Sequence, residues 1–260
     1  MAMTATPVYC SANSRDVAEP LWGTARHTER WLLIEYPGAW PAKVLKSGVL
    51  PPAMMKQLEA LQQAFPSFHT LFIRQGHTRS GPLRAFLVDC REETASIQRL
   101  EFDDYDQLAA MDLVGAWQGS SQPGTRQSAA VPALYLVCTH GTHDKCCAKF
   151  GLPVYAALTA RYEDKVWEAS HLGGHRFAAN VIAFPTGVCY GRVTTDSAVD
   201  LIEHDERGEL DLPHYRGRFS LAPPVQAAEY FIRKRLSLTR LGDLRPDGAT
   251  KLADDRPFLD

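Results

Sequence analysis

The chain has 260 residues, 45% hydrophobic and 22% charged, with a formal net charge of -2. That length buries one large core or two small ones, and the balance is that of an ordinary soluble globular protein. It lacks the basic character of a nucleic-acid binder, and its longest apolar runs, LYLVC and WLLIEY, fall far short of the ~20 residues of a membrane helix.

The opening MAMTATPVYCSANSRD has no basic start followed by an apolar core, so no secretory signal is expected and the expected compartment is the cytoplasm. Residues 1–28 predict an irregular lead-in packed on a domain surface, with Cys10 a structural or free thiol. Residues 30–36, RWLLIEY, form a short apolar run closed by Pro37 and Gly38, which suits a buried strand. Pro51 and Pro52 open a helix in which Met54, Leu58, Leu61 and Phe65 recur at helical spacing. Strands are predicted at 68–74, 83–89 and 97–102, separated by the loop QGHTRSG and the polar stretch CREETAS. Asp103 and Asp104 then cap a helix, YDQLAAMDL.

Residues 118–130, QGSSQPGTRQSAA, have the composition of a flexible connector. After it the pattern returns: a strand at 133–137, a helix within 147–162 with Val154, Leu158 and Tyr162 on one side, and a strand at 166–170. Strands at 177–184 and 188–193 follow, then the capped helix TTDSAVDLIEHDERG. Both halves therefore read β, α, β, β, β, α, which predicts two copies of one unit. The expected fold is α/β (α+β): two tandem thioredoxin-like units with mixed central sheets covered by helices, although periodicity equally allows another α/β sandwich. The expected divisions are 1–117 for a unit without cofactor, 118–130 for the linker, 131–212 for the unit with the site, and 213–260 for a C-terminal helix and tail. On that last helix, VQAAEYFIRKRL, the charges Arg233, Lys234 and Arg235 are expected to form a solvated face.

Six cysteines are too sparse for a disulfide scaffold, and Cys138, Cys146 and Cys147 fall within ten residues. In a cytosolic protein such density points to metal or redox chemistry. Cys138 ends a strand, and the loop THGTHDKC returns the chain to a helix starting near Cys146 and Cys147. A thiolate is favoured at such a helix N-terminus, and spacing alone does not choose between the two. His171 closes another strand, and Gly173 and Gly174 let the backbone turn so that His175 can converge with it. A set of two Cys and two His has two chief occupants. Structural zinc usually has a shorter C-x2-4-C spacing than the interval from Cys138 to Cys147. A two-iron two-sulfur cluster is wider and accepts mixed Cys/His ligation.

Cys138, His140, His143, Asp144 and Cys147, followed by His171, Gly173, Gly174 and His175, match the pattern C-x-H-x-x-(R/H)-D-x-x-C and H-x-G-G-H. In this the chain resembles the sucrase/ferredoxin-like family, and EPLWGTA and WLLIEYPGAW resemble that family's opening. The resemblance implies a thioredoxin-like ferredoxin unit in the second half, with a 2Fe-2S cluster ligated by Cys138, Cys147, His171 and His175. Cys146 stands where the wider pattern often has a basic residue and is the alternative to Cys147.

Around these ligands, His140 and His143 are candidates to hydrogen-bond the cluster or shape the loop, Asp144 to cap the helix, and Arg176 to tune the site, greet a partner or form a surface salt bridge. Cys189 reads as a small core residue, while Cys90, His27, His69, His77, His204 and His214 have no visible companions. The expected function is a one-electron carrier or redox sensor with a pH-dependent potential, rather than a stand-alone enzyme, working with a redox partner protein and with neither nucleic acid nor membrane. The alternatives are a structural zinc protein using the same four residues, and a thioredoxin-like thiol oxidoreductase using Cys138 with Cys146 or Cys147. Tyr36-Pro37-Gly38 stands where Cys138-Thr139-His140 stands in the second copy, so the first half is expected to support or cover the site.

Overall fold

Four consecutive apolar side chains, Trp31 to Ile34, are fully buried in strand β1 (Arg30–Glu35), the pattern of a strand covered on both faces. The computed structural model in which this is seen describes residues 9–76, 81–118 and 131–246. Residues 119–130, the bulk of the expected connector, and 77–80 of the loop carrying His77 lie outside the described residues.

β1 pairs in parallel with β2 (Phe68–Arg74) and antiparallel with β3 (Leu83–Asp89), which continues antiparallel to β4 (Ser96–Phe102). In the second half β5 (Leu134–Cys138) pairs in parallel with β6 (Val166–Ala169) and antiparallel with β7 (Val181–Phe184), which pairs with β8 (Val188–Tyr190). The two halves thus repeat one pairing scheme. They join through the equivalent strands β2 and β6, antiparallel, at Ile73↔Ala169 and Arg74↔Glu168. With β9 (Tyr215–Arg218) on the far edge, the result is a nine-stranded mixed sheet, β4-β3-β1-β2-β6-β5-β7-β8-β9.

Helices cover it. α2 (Pro52–Ala64) starts at a proline and buries Met54, Leu58 and Leu61 against Leu32, Ile34 and Phe72, with α3 (Tyr105–Ala110) and α4 (Leu113–Trp117) beside it. In the second half α5 (Lys145–Tyr162) and α6 (Thr195–Glu206) bury Val154, Leu158, Leu201 and Ile202 against Tyr135 and Val181. The opposite faces of the two halves share one core. Phe86 of β3 and Trp167 of β6 have ring centroids 5.5 Å apart, although three strand steps of a flat sheet span ~14 Å. The sheet therefore curls until its inner faces meet, and Trp31 against Phe184, at 5.7 Å, makes the same contact.

Several predicted elements change. The lead-in contains a helix, α1 (Cys10–Asp16), held by tertiary bonds rather than by an apolar stripe: Arg15 donates to the Ala178 carbonyl, and Arg192 to the Ser14 and Glu19 carbonyls. The strand expected from 177 starts at Val181, because His175–Phe177 forms a 3-10 turn. The helix expected at 105–113 divides into α3 and α4, each capped by an aspartate, Asp104 and Asp112. The sequence predicts no strand at β9, since its arginines hide a buried strand. On α7 (Pro223–Leu236), Arg233 is not solvated: it is wholly buried, donating to Glu229 and to the Arg240 and Leu241 carbonyls. No helix among the described residues is long and apolar enough to cross a membrane.

Candidate metal centre

Cys138 is the buried last residue of β5, and the chain turns through 139–143 before α5 begins. Asp144 caps that helix, its carboxylate accepting from the Cys146 N–H at 2.8 Å. Cys146 and Cys147 occupy the first turn, both buried, and being adjacent they point differently around the helix axis. Cys147 faces Cys138. Cys146 faces α1, its Sγ 3.2 Å from that of Cys10.

His171 follows β6. Its Nδ1 lies 3.6 Å from Cys147 Sγ, and the donor atoms of Cys138, Cys147 and His171 all lie within 4.8 Å of one another. Gly174 has a positive φ of 73°, and a Cβ there would sit 2.4 Å from the Arg216 guanidinium. That arginine, buried on β9, donates to the Gly173 carbonyl at 3.2 Å and to Asn180 Oδ1 at 2.9 Å, and Asn180 donates to the Gly174 carbonyl at 3.0 Å. The turn is thereby fixed from behind. His175 comes next, its ring centroid 5.9 Å from that of His171, its Nδ1 paired with the Asp144 carboxylate and 3.5 Å from Cys10 Sγ. Cys10, Asp144 and Cys146 make a second close group of donor atoms.

The first half walls this site. His140 accepts the His171 N–H at Nδ1, 3.1 Å, which leaves its Nε2 to donate to the Pro41 carbonyl at 3.1 Å. His143 donates from Nδ1 to the Ala42 carbonyl at 2.9 Å and stacks on His171 with centroids 3.8 Å apart. Thr142 donates to the Trp40 carbonyl at 2.6 Å. Three successive carbonyls just beyond the Tyr36-Pro37-Gly38 end of β1 therefore receive the loop. Behind it, buried Glu168 accepts from Thr139 at 2.6 Å and from Arg74, which lies over the Trp40 ring.

Hydrogen bonds from Cys147 hold the Cys138 thiol well below its ordinary range against the opposing effect of burial, with His171 and the Leu172 N–H adding to it. Cys147 is raised in turn, first by that same bond, so the pair shares one proton with the charge favoured on Cys138. Burial pushes Asp144 up, but the bonds from Cys146 and His175 hold its carboxyl below the usual range. Burial and the bond to Cys146 push Cys10 up to about 11. Burial lowers His140, in keeping with the neutral ring its partners require.

Of the predicted residues, Cys138, Cys147 and His171 come together, His175 stands beside them on Asp144, and Cys146 turns away. His140 and His143 shape the loop, Asp144 caps its helix, and Arg176 forms an exposed salt bridge to Glu19 at 2.6 Å. Cys189 is buried in the core, with Arg216 donating to its sulfur at 3.5 Å. Sequence reasoning missed Cys10 as a neighbour, and also Trp40 to Ala42, Asn180 and Arg216, whose partners lie far away along the chain.

The family model for sucrase/ferredoxin-like proteins matches residues 21–217, which takes in every predicted ligand and most of both halves. The chain belongs to the sucrase/ferredoxin-like family. Two solved structures similar to it are the wild-type thioredoxin-like 2Fe-2S ferredoxin from Aquifex aeolicus and a cysteine-to-serine variant of that protein. They are 18% and 17% identical over 33% of this sucrase/ferredoxin-like chain, and 97% and 99% of theirs, each with a TM-score of 0.30. No curated protein matches the chain.

Proposed function

We propose that the protein is an iron-sulfur redox protein in which Cys138, Cys147, His171 and His175 hold a 2Fe-2S cluster, and that it carries single electrons or senses redox state with a partner protein. The observation that carries this reading is the convergence of Cys138, Cys147 and His171, with donor atoms within 4.8 Å of one another at the junction of a strand end, a helix start and a glycine turn. Family membership supports it.

The donor set fits such a group: two thiols, one already favoured as thiolate, and two imidazoles. Cys147 rather than Cys146 pairs with Cys138, because Cys146 is turned toward Cys10. Asp144 holds His175 at Nδ1, which leaves Nε2 as the nitrogen free to bind, the arrangement in which a carboxylate fixes a ligand histidine's tautomer.

When bound, the cluster supplies a one-electron step, and neutral imidazoles in place of thiolates raise its potential above that of an all-cysteine site. The His175 side chain is 41% exposed. A pH-dependent potential is part of this proposal, with the expectation that it falls as pH rises.

Anaerobic purification followed by iron and acid-labile sulfide analysis tests the reading, together with low-temperature EPR of the reduced wild type and its His171→Ala and His175→Ala variants. Iron and sulfide in equal amounts, with a spectrum altered in both variants, is expected. A colourless protein with stoichiometric zinc would instead favour a structural metal.

A further inference from the structure

We infer that Cys10 and Cys146 form a reversible dithiol-disulfide pair that staples α1 to the start of α5, with a small-molecule disulfide of the glutathione type as oxidant. All six cysteines are free thiols, and these two, 136 residues apart in sequence, hold their sulfurs 3.2 Å apart. Both sit on anchored backbone. Cys146 is in the first turn of an 18-residue helix, and Cys10 opens a helix pinned by Arg15 on the Ala178 carbonyl and by Arg192 on Ser14.

The two sulfurs are better placed to bond each other than to share a cation. Two thiolates on one tetrahedral zinc lie ~3.8 Å apart, from zinc-sulfur bonds of ~2.3 Å. The third member of the group, Asp144, already gives its carboxylate oxygens to the Cys146 N–H and to His175. Cys146, furthermore, faces away from Cys138. The pair does not depend on what Cys138, Cys147 and His171 hold.

Cys10 is partly exposed and Cys146 is buried, which orders the steps. Cys10 gives up its thiol proton as it attacks one sulfur of the disulfide RSSR, forming a mixed disulfide and releasing RS⁻, which takes up a proton to become RSH. Cys146 then attacks Cys10 Sγ, forming the Cys10–Cys146 bond and expelling the second RS⁻. The sum is two protein thiols plus RSSR giving one protein disulfide plus two RSH, with two electrons passing to the small molecule. Excess dithiothreitol reverses it.

The full-length protein, purified anaerobically, is incubated with oxidised glutathione, blocked with N-ethylmaleimide and digested with trypsin. Peptide 1–15 joined to peptide 146–149 is expected, with two of the six thiols lost, and fragment ions separating Cys146 from Cys147 assign the partner without any variant. Cys10→Ser and Cys146→Ser should lose the linkage, and Cys147→Ser should keep it. Linkage through Cys147, no linkage in the wild type, or zinc released from these two thiols on alkylation would each overturn the inference. Iron and sulfide content, measured on the same samples, reports separately on the cluster.

Discussion

Gly151 of α5 faces the backbone carbonyl of Cys138 so closely that a Cβ on the glycine would lie 2.0 Å from that oxygen. A glycine inside a helix costs about 1 kcal/mol relative to alanine, and here that cost accompanies the approach that brings Cys147 to Cys138. Gly151→Ala must push the helix from the strand end. We expect a loss of about 1–3 kcal/mol, the usual range for overpacking, together with lower iron content. Urea unfolding checks it; unchanged or raised stability would rule out the close approach.

His140 joins the halves through two hydrogen bonds of a neutral ring. His140→Phe keeps much of the volume but leaves the His171 N–H and the Pro41 carbonyl without partners, at about 1–3 kcal/mol for each group that stays dry. Faster amide exchange at His171, alongside a lower unfolding midpoint, is the expected result. Slow exchange in the variant would show that the loop is held by something else.

Asp144 has two duties that substitution can separate. Asp144→Ala loses the helix cap, worth about 1 kcal/mol, whereas Asp144→Asn retains it. Both lose the carboxylate on His175, and removal of such a partner typically costs ~10–100-fold in metal affinity. A chelator should therefore strip metal from both variants at a lower concentration than from the wild type, while only the alanine variant loses stability. Equal metal retention in wild type and Asp144→Asn would remove the carboxylate from the account.

Arg233 and Glu229 are both wholly buried and joined at 2.9 Å. Breaking a buried pair from one side leaves an underpaired charge, so Arg233→Met should cost about 3–5 kcal/mol. Arg218 still reaches Glu229 at 2.8 Å and places the effect toward the lower end. Urea unfolding checks it, and adding Glu229→Gln should bring no recovery, because it takes from buried Arg218 the buried partner it still has.

Burial raises the Asp205 carboxyl to about 6, with the bond from Tyr135 acting in the opposite direction and the Glu206 charge adding to the rise. A carboxyl whose folded pKa exceeds its unfolded value binds its proton more tightly in the folded chain. Its contribution is then favourable at low pH and is lost as pH rises from about 4 to about 6, by at most about 3 kcal/mol. Asp205→Asn should flatten that part of the stability profile. A wild-type and variant difference independent of pH across the window would contradict the shift.

The duplicated order of strands and helices was legible because it rests on apolar periodicity: Met54, Leu58, Leu61 and Phe65 all reach the core of the first half. The cysteines and histidines were legible through their spacing. What sequence did not reveal depends on residues distant in the chain. α1 has no apolar stripe to mark it, and β9 buries arginines whose partners, Thr24, Gly173 and Glu229, belong to other elements. The carbonyls of Trp40 to Ala42 carry no side-chain signature at all. Nor does CC in a sequence say which thiol turns toward Cys138; that follows from rotation around α5.

The antiparallel seam between β2 and β6 joins equivalent strands of the two copies, each meeting the other as it would meet itself. Self-complementary contact of this kind defines an isologous two-fold dimer, so the chain has the form of a homodimer fused end to end. The copies differ at their first strand ends: one carries Cys138, while the other offers backbone carbonyls just beyond the equivalent end, so both serve a single site. Neither can be cut away without opening the other's strand edge to foreign pairing.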